Sequence, residues 1–193
     1  MRILALGGSL RAASLNRALL NEAADLAPSG TTLDLGHVTV AGALPLFNQD
    51  ILDHEGPPGE VTQLKDALRA ADGLLIATPE YNWGIPGFLK NAIDWASRPA
   101  SDIGLVFGDL PVALIGAGGG GGTRLAHSAW LPVFRYLRMR PWSGHSLYVD
   151  HARERFDEHR RLSDDVAREQ LRAVVTGFAA YCAEHPRARP EQR

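Results

Sequence analysis

Apolar positions along the chain fall into two kinds of segment that alternate. Short, nearly continuous apolar runs occur at residues 3–6, 74–77 and 112–115, each bounded by Gly or Pro. Runs of that length without a polar face predict strands buried on both sides. Between them, apolar residues recur at helical spacing: Leu15, Leu19, Leu20 and Ala23, then Val61, Leu64, Leu68 and Ala71. A third stripe, Phe88, Leu89, Ile93 and Ala96, has Pro86 placed to open a helix. The last, Val166, Leu171, Val174, Val175, Phe178 and Cys182, predicts a C-terminal helix with Cys182 as a small core residue. Leu33 and Leu35 alternate with polar neighbours until Gly36-His37 breaks the phase, which predicts a short second strand ending early or in a bulge. Residues 146–149 predict a fifth strand. This β-α-β-α order predicts an α/β chain with a parallel sheet, helices on both faces and right-handed crossovers. Residues 53–60 (DHEGPPGE) read as a surface loop, 1–185 as one domain and 186–193 as a frayed tail.

Composition removes several function classes. Over 193 residues, 20 basic and 22 acidic side chains leave a net charge of −2, too weak a field to condense on nucleic acid or an anionic membrane. One cysteine excludes an intramolecular disulfide framework and any multi-cysteine zinc or iron–sulfur site. No apolar run approaches the roughly 20 residues that span a bilayer. The opening MRILALGGSL lacks the features of a signal peptide, so a cytoplasmic protein without nucleic-acid or membrane partners is expected. The histidines show no H-E-x-x-H spacing and no serine sits in G-x-S-x-G, so neither a metal site nor an acyl-transfer nucleophile is expected. The mixed charges at 153–161 and 164–172 read as solvated faces.

In an open parallel sheet, ligands bind beyond the carboxyl ends of the strands. Three unusual loops should converge there. The first, residues 7–16 (GGSLRAASLN), offers Ser9, Ser14 and Asn16 as neutral donors and Arg11 as a planar cationic fork. Leu15 follows at the head of a helix, whose free N–H groups complete an anion site. It is neither a P-loop nor the dinucleotide fingerprint. The second, residues 78–87, places Pro79, Glu80, Tyr81, Asn82 and Trp83 in a stiff turn suited to flank a flat heteroaromatic ring. The third contains Gly116, Gly118, Gly119, Gly120, Gly121 and Gly122, read as bare backbone passing close to a ring and its carbonyls. Each loop also has a plain structural reading: Ser14 as a helix cap, the aromatics as core caps, the glycines as a floppy lid.

Three stretches together resemble the NADPH-dependent FMN reductases, a family that includes quinone, azo-dye and chromate reductases: GGSLRAASLN at 7–16, LPLFNQD at 44–50 and PEYNWGIPGFLKNAIDWASRP at 79–99. The likeness covers the first hundred residues and, more loosely, the glycine loop and final helix. It implies a flavodoxin-like three-layer sandwich with five parallel strands in the order 2-1-3-4-5, non-covalent FMN, NADPH or NADH as donor, and a homodimer or homotetramer. It puts Ser9, Arg11, Ser14 and Asn16 at the phosphate, and Pro79, Glu80, Tyr81, Asn82 and the 116–122 glycines at the ring. The implied reaction is ping-pong: hydride passes from NAD(P)H to FMN, then two electrons reduce a quinone, azo, chromate-type or free flavin acceptor. The flavin carries that chemistry, so no catalytic side chain is expected. A flavodoxin-like electron carrier and a nucleotide-binding regulatory module are the competing readings. Two features depart from the family pattern: the glycine run is longer, and Pro132 sits inside the helical pattern of 125–137, where a kink or break is expected. Arg98, Arg124 and Arg138 are candidates to contact a nucleotide 2′-phosphate.

Overall fold

The computed structural model describes residues 1–36 and 42–188. The three continuous apolar runs become β1 (Arg2–Gly7), β3 (Gly73–Ala77) and β4 (Pro111–Ala117), adjacent and parallel at the centre of the sheet. A short β2 (Thr32–Asp34) flanks β1. His37, where the phase was expected to break, lies outside the described residues. The fifth position is shared by two fragments, β5 (Arg140–Pro141) and β6 (Leu147–Val149), which pair with the start and the end of β4. The order is thus β2-β1-β3-β4-β5, with β6 also on β4. The apolar pattern points to β6, whereas Arg140-Pro141 carries no apolar run to reveal β5.

Helices cover both faces. Ile3 and Ala5 of β1 point into one layer with α1 (Leu15–Asp25) and α8 (Asp165–Glu184). Leu4 and Leu6 point into the other, with α3 (Gly59–Ala70), α4 (Gly87–Ala96) and α6 (Arg124–Tyr136). The remaining helices are short: α2 (Gln49–Glu55), α5 (Ile103–Val106) and α7 (Ala152–Arg155). Each large apolar side chain taken from water into these layers contributes roughly 1.5–3 kcal/mol. Cys182 packs under β3, where a Cβ on Gly73 would lie 2.6 Å from its sulfur, and burial pushes its thiol up to about 12. Val166 is the exception to its predicted stripe, 68% exposed in the first turn of α8.

Four expectations need correction. The surface loop expected at 53–60 shrinks to 56–58, because α2 runs to Glu55, where Gly56 at φ 79° ends it, and Pro58 opens α3. Pro132 does not break α6, which continues from Arg124 to Tyr136; Pro132 is exposed, so the carbonyl it leaves without a donor can meet water. The charges at 153–161 and 164–172 are not merely solvated faces. Arg155 pairs with Asp150 and Asp164, and Arg161 reaches Glu22 and Asp25 of α1, each at 3.2 Å. In the expected frayed tail, Arg187 donates to the carbonyls of Leu68 and Gly108, each at 3.0 Å; residues 189–193 lie outside the described residues. The central strands end level with one another, Gly7 opposite Ala77 and Ala77 opposite Ile115, so their loops leave from one edge.

Candidate functional site

At that edge the loops close around a cleft of about 460 Å³. Ser9, Arg11, Ser14, Leu15, Asn16, Pro79, Glu80, Tyr81, Gly118 and Gly119 line it. Asn82, Trp83, Gly116, Gly120 and Gly121 are not on its wall.

The first loop turns tightly against the second. Gly8 donates to Ala77 O at 2.8 Å, and a Cβ there would lie 2.6 Å from Pro79 Cδ, so only glycine fits. The Ser14 hydroxyl accepts from Arg17 N and caps α1, leaving the N–H groups of Leu15 and Asn16 without intrahelical acceptors. The Asn16 amide is largely committed elsewhere: it donates to Ala117 O at 2.8 Å and accepts from Ala117 N at 2.9 Å. That buried pair clamps the head of α1 to the end of β4, and one amide hydrogen remains free. The Ser9 hydroxyl and the exposed Arg11 guanidinium have no partner among the described residues.

In the second loop, Tyr81 and Gly84 exchange backbone hydrogen bonds at 3.3 and 3.0 Å across a two-residue turn. Both central residues are left-handed, Asn82 at φ 50° and Trp83 at φ 64°, as a type I′ turn requires. Asn tolerates that conformation; Trp83 bears a strain of roughly 1 kcal/mol and stands 77% exposed. Glu80, placed by resemblance at the ring, turns a carboxylate oxygen to the head of α6, accepting from Leu125 N at 2.9 Å and Ala126 N at 3.0 Å. Thr123 makes no capping bond there, so Glu80 supplies the cap and ties the second loop to the third.

The glycines divide into two kinds. Gly116 is inside β4, where a Cβ would lie 2.0 Å from Thr123 Oγ1 and 2.6 Å from Thr78 O, so it is a packing residue. Gly122 at φ 63° donates to Gly119 O at 2.9 Å and closes the turn. Gly119 and Gly122 face each other in an antiparallel bridge; a Cβ on Gly119 or Gly121 would meet nothing within 4 Å, and the N–H groups of Gly120 and Gly121 have no acceptor among the described residues.

A fourth wall escaped the sequence reading. His151, Ala152, Arg153 and Glu154, just after β6, line the cleft together with Ala117. This segment is tied to the glycine loop: His151 N donates to Gly119 O at 3.1 Å and Ala152 N to Gly118 O at 3.0 Å. His151 is left-handed at φ 43°. The signal was present, since these residues follow a predicted strand at its carboxyl end.

Behind the glycine loop, Arg124 donates to Gly121 O and lies 5.0 Å above the Tyr148 ring, against which His127 packs at 4.7 Å. His127 is buried with Nε2 unpartnered, and desolvation lowers its pKa to about 4. It borders a cavity of about 170 Å³ in the gap between β5 and β6. Of the three candidate 2′-phosphate arginines, only Arg124 is on this side. Arg98, beyond the C-terminus of α4, stands over Phe47, and Arg138 lines a separate cavity ahead of β4 with Gly108 and Asp109. Among the described residues no three His, Cys, Asp or Glu side chains gather as a metal site, and no helix is long and apolar enough to cross a membrane.

The cleft wall therefore combines unpaired donors of the first loop with bare glycine backbone and Tyr81. Comparison with known proteins identifies the family. The family model described as NADPH-dependent FMN reductase matches residues 1–154. An NAD(P)H-dependent FMN reductase of Pseudomonas aeruginosa is 39% identical over 172 residues, 89% of each chain. A 2-hydroxy-1,4-benzoquinone reductase of a Burkholderia species is 38% identical over 183 residues, 94% of this chain and 96% of that one. Among solved structures, FerB of Paracoccus denitrificans, a flavoenzyme NAD(P)H:(acceptor) oxidoreductase, superposes with a TM-score of 0.82 at 28% identity, covering 96% of this chain and 99% of that one.

Proposed function

The chain belongs to the NADPH-dependent FMN reductase family, and from that premise we propose that the cleft holds FMN to reduce a quinone with electrons from NAD(P)H. The protein is an FMN-dependent NAD(P)H oxidoreductase of the flavin and quinone reductase type. One observation carries the assignment to the cleft: the Ser9 hydroxyl, the Arg11 guanidinium and the free N–H groups of Leu15 and Asn16 all belong to the wall that the first loop and the head of α1 supply. That set suits a phosphate monoester, and the open side of Gly119 leaves room for a flat ring.

Bound FMN supplies two-electron transfer between nicotinamide and acceptor, so no side chain need serve as general acid or base. The chain's own residues bind and orient. Arg11 and the head of α1 neutralise the phosphate. Pro79, Tyr81 and Gly118–Gly119 flank the ring, and the free N–H groups of Gly120 and Gly121 are available to its polar edge. The Glu80 cap on α6 and the Asn16–Ala117 clamp keep these walls at fixed spacing. An oligomer of two or four copies, a cytoplasmic location and a single domain over 1–185 complete the proposal. The exposed Trp83, Leu125, Leu131 and Tyr136 support the oligomer, as apolar surface that a second copy would cover.

The test is a visible spectrum of the purified protein with FMN, before and after anaerobic NADPH. A bound flavin band that bleaches with NADPH and returns on adding benzoquinone is expected. Protein that retains no FMN would overturn the reading. A band unmoved by NADPH or NADH would favour the electron-carrier alternative.

A further inference from the structure

The fourth wall carries an arginine that no sequence motif assigns. Arg153 lines the same cleft as Arg11, and neither side chain has a hydrogen-bond, ion-pair or ring partner among the described residues. Its neighbours are all engaged. Arg155 is held by Asp150 and Asp164, Arg161 by Glu22 and Asp25, and Arg124 by Gly121 O and the Tyr148 ring. Two exposed guanidinium groups are thus left unpaired on the wall of one cleft.

The backbone that presents Arg153 is fixed. His151 N and Ala152 N bond to the carbonyls of Gly119 and Gly118, Glu154 N returns to His151 O at 2.8 Å, and Ala152 is buried in the core. His151 adopts φ 43° to make that turn, and strain of this kind persists where surrounding structure over-determines it. Arg153 is therefore anchored at its backbone and free at its head. Of the two carboxylates on the cleft wall, Glu80 is committed to the head of α6, while Glu154 remains free beside Arg153. The wall's cations are Arg11, Arg153 and, when protonated, His151.

We propose that Arg153 is a second phosphate-binding arm, closing on the FMN 5′-phosphate from the side opposite Arg11. This deepens the flavin-binding reading and rests on it. A phosphate dianion accepts two guanidinium forks without sharing lone pairs, and each charge-assisted contact is stronger than a neutral one.

Full-length protein freed of flavin, as wild type, Arg153→Ala, Arg153→Lys and Arg11→Ala, would be titrated with FMN and with riboflavin by flavin fluorescence. Circular dichroism would confirm that each variant is folded. Arg153→Ala should weaken FMN about 10-fold or more while changing riboflavin less than about 2-fold, with partial recovery in Arg153→Lys. Equal losses for both flavins, or no loss for FMN in a folded Arg153→Ala protein, would overturn the second arm. A raised KM for NADPH but not NADH, with FMN affinity unchanged, would also overturn it by moving the contact to the nicotinamide nucleotide's 2′-phosphate. If wild type binds neither flavin, or Arg11→Ala leaves FMN affinity intact, the failure belongs to the underlying site assignment instead.

Discussion

Replacing His127 by Phe should remove an acid sensitivity that the fold concentrates in one side chain. The imidazole is buried between α6 and the broken fifth strand, packs 4.7 Å from the Tyr148 ring and leaves Nε2 without a partner. Burial disfavours its charged form and lowers its pKa from 6.5 to about 4. Between those two values the unfolded chain binds a proton that the folded chain refuses, so stability rises with pH across the window and falls on acidification. Worked through, that linkage removes about 2 kcal/mol by about pH 5 and about 3 kcal/mol once pH is below 4. Phe keeps an aromatic ring against Tyr148, cannot titrate, and relieves the unpartnered nitrogen. Urea unfolding of both proteins at about pH 7.5 and pH 5 would measure the difference. Wild type should lose about 2 kcal/mol more than the variant over that interval. Parallel pH profiles would refute the argument and mean that the imidazole is hydrated or partnered in solution.

Other substitutions probe the supports of the cleft. Asn16→Ala strands the N–H and C=O of Ala117 in a buried site and should cost about 2–3 kcal/mol, seen as a lower Tm, with weakened flavin binding alongside it. A normal Tm would show that water replaces the amide. Gly116→Ala forces a methyl to within 2.6 Å of Thr78 O, so a loss of roughly 1–3 kcal/mol in urea unfolding is expected, and unchanged stability would mean the strand shifts at no cost. Trp83→Asn relieves a left-handed residue that packs little, so the unfolding free energy from urea titration should hold or rise by up to about 1 kcal/mol. A clear fall would give the indole a contact that its 77% exposure hides, as an oligomer interface would.

Much of the fold was legible because burial on both faces leaves a strong mark. The runs at 3–6, 74–77 and 112–115 have no polar side, and all three lie in central strands. The helical stripes held wherever a helix rests on the sheet and failed at Val166, which precedes the contact face of α8. What remained hidden depends on geometry rather than pattern. β5 is two residues, one of them proline, and is a strand only because Pro111 and Val112 lie alongside it. The helix α2 was obscured because its residues are all exposed or half-buried, so it has no apolar stripe; Asn48 and Gly56 mark its ends more clearly than its interior marks its existence.

The candidate site shows the same division at the level of single atoms. Residue type in the first loop suggested phosphate donors; Ser14 caps α1 with its oxygen and keeps its O–H as a donor, while Asn16 commits most of its amide to Ala117. Glu80 likewise acts through two N–H groups 45 and 46 residues further along the chain. These side chains keep the walls in place, a task no local spacing can display because the partner is fixed only when the strands align. Among the described residues on or beside the cleft, the groups whose hydrogen-bonding capacity the fold does not consume are the Ser9 hydroxyl, two N–H groups of α1, the N–H groups of Gly120 and Gly121, Arg11 and Arg153. Buried or clustered polar groups are ordinarily paired within the protein. These unconsumed groups stand on or beside the cleft proposed here for FMN, a cofactor with a phosphate at one end and a flat polar ring at the other.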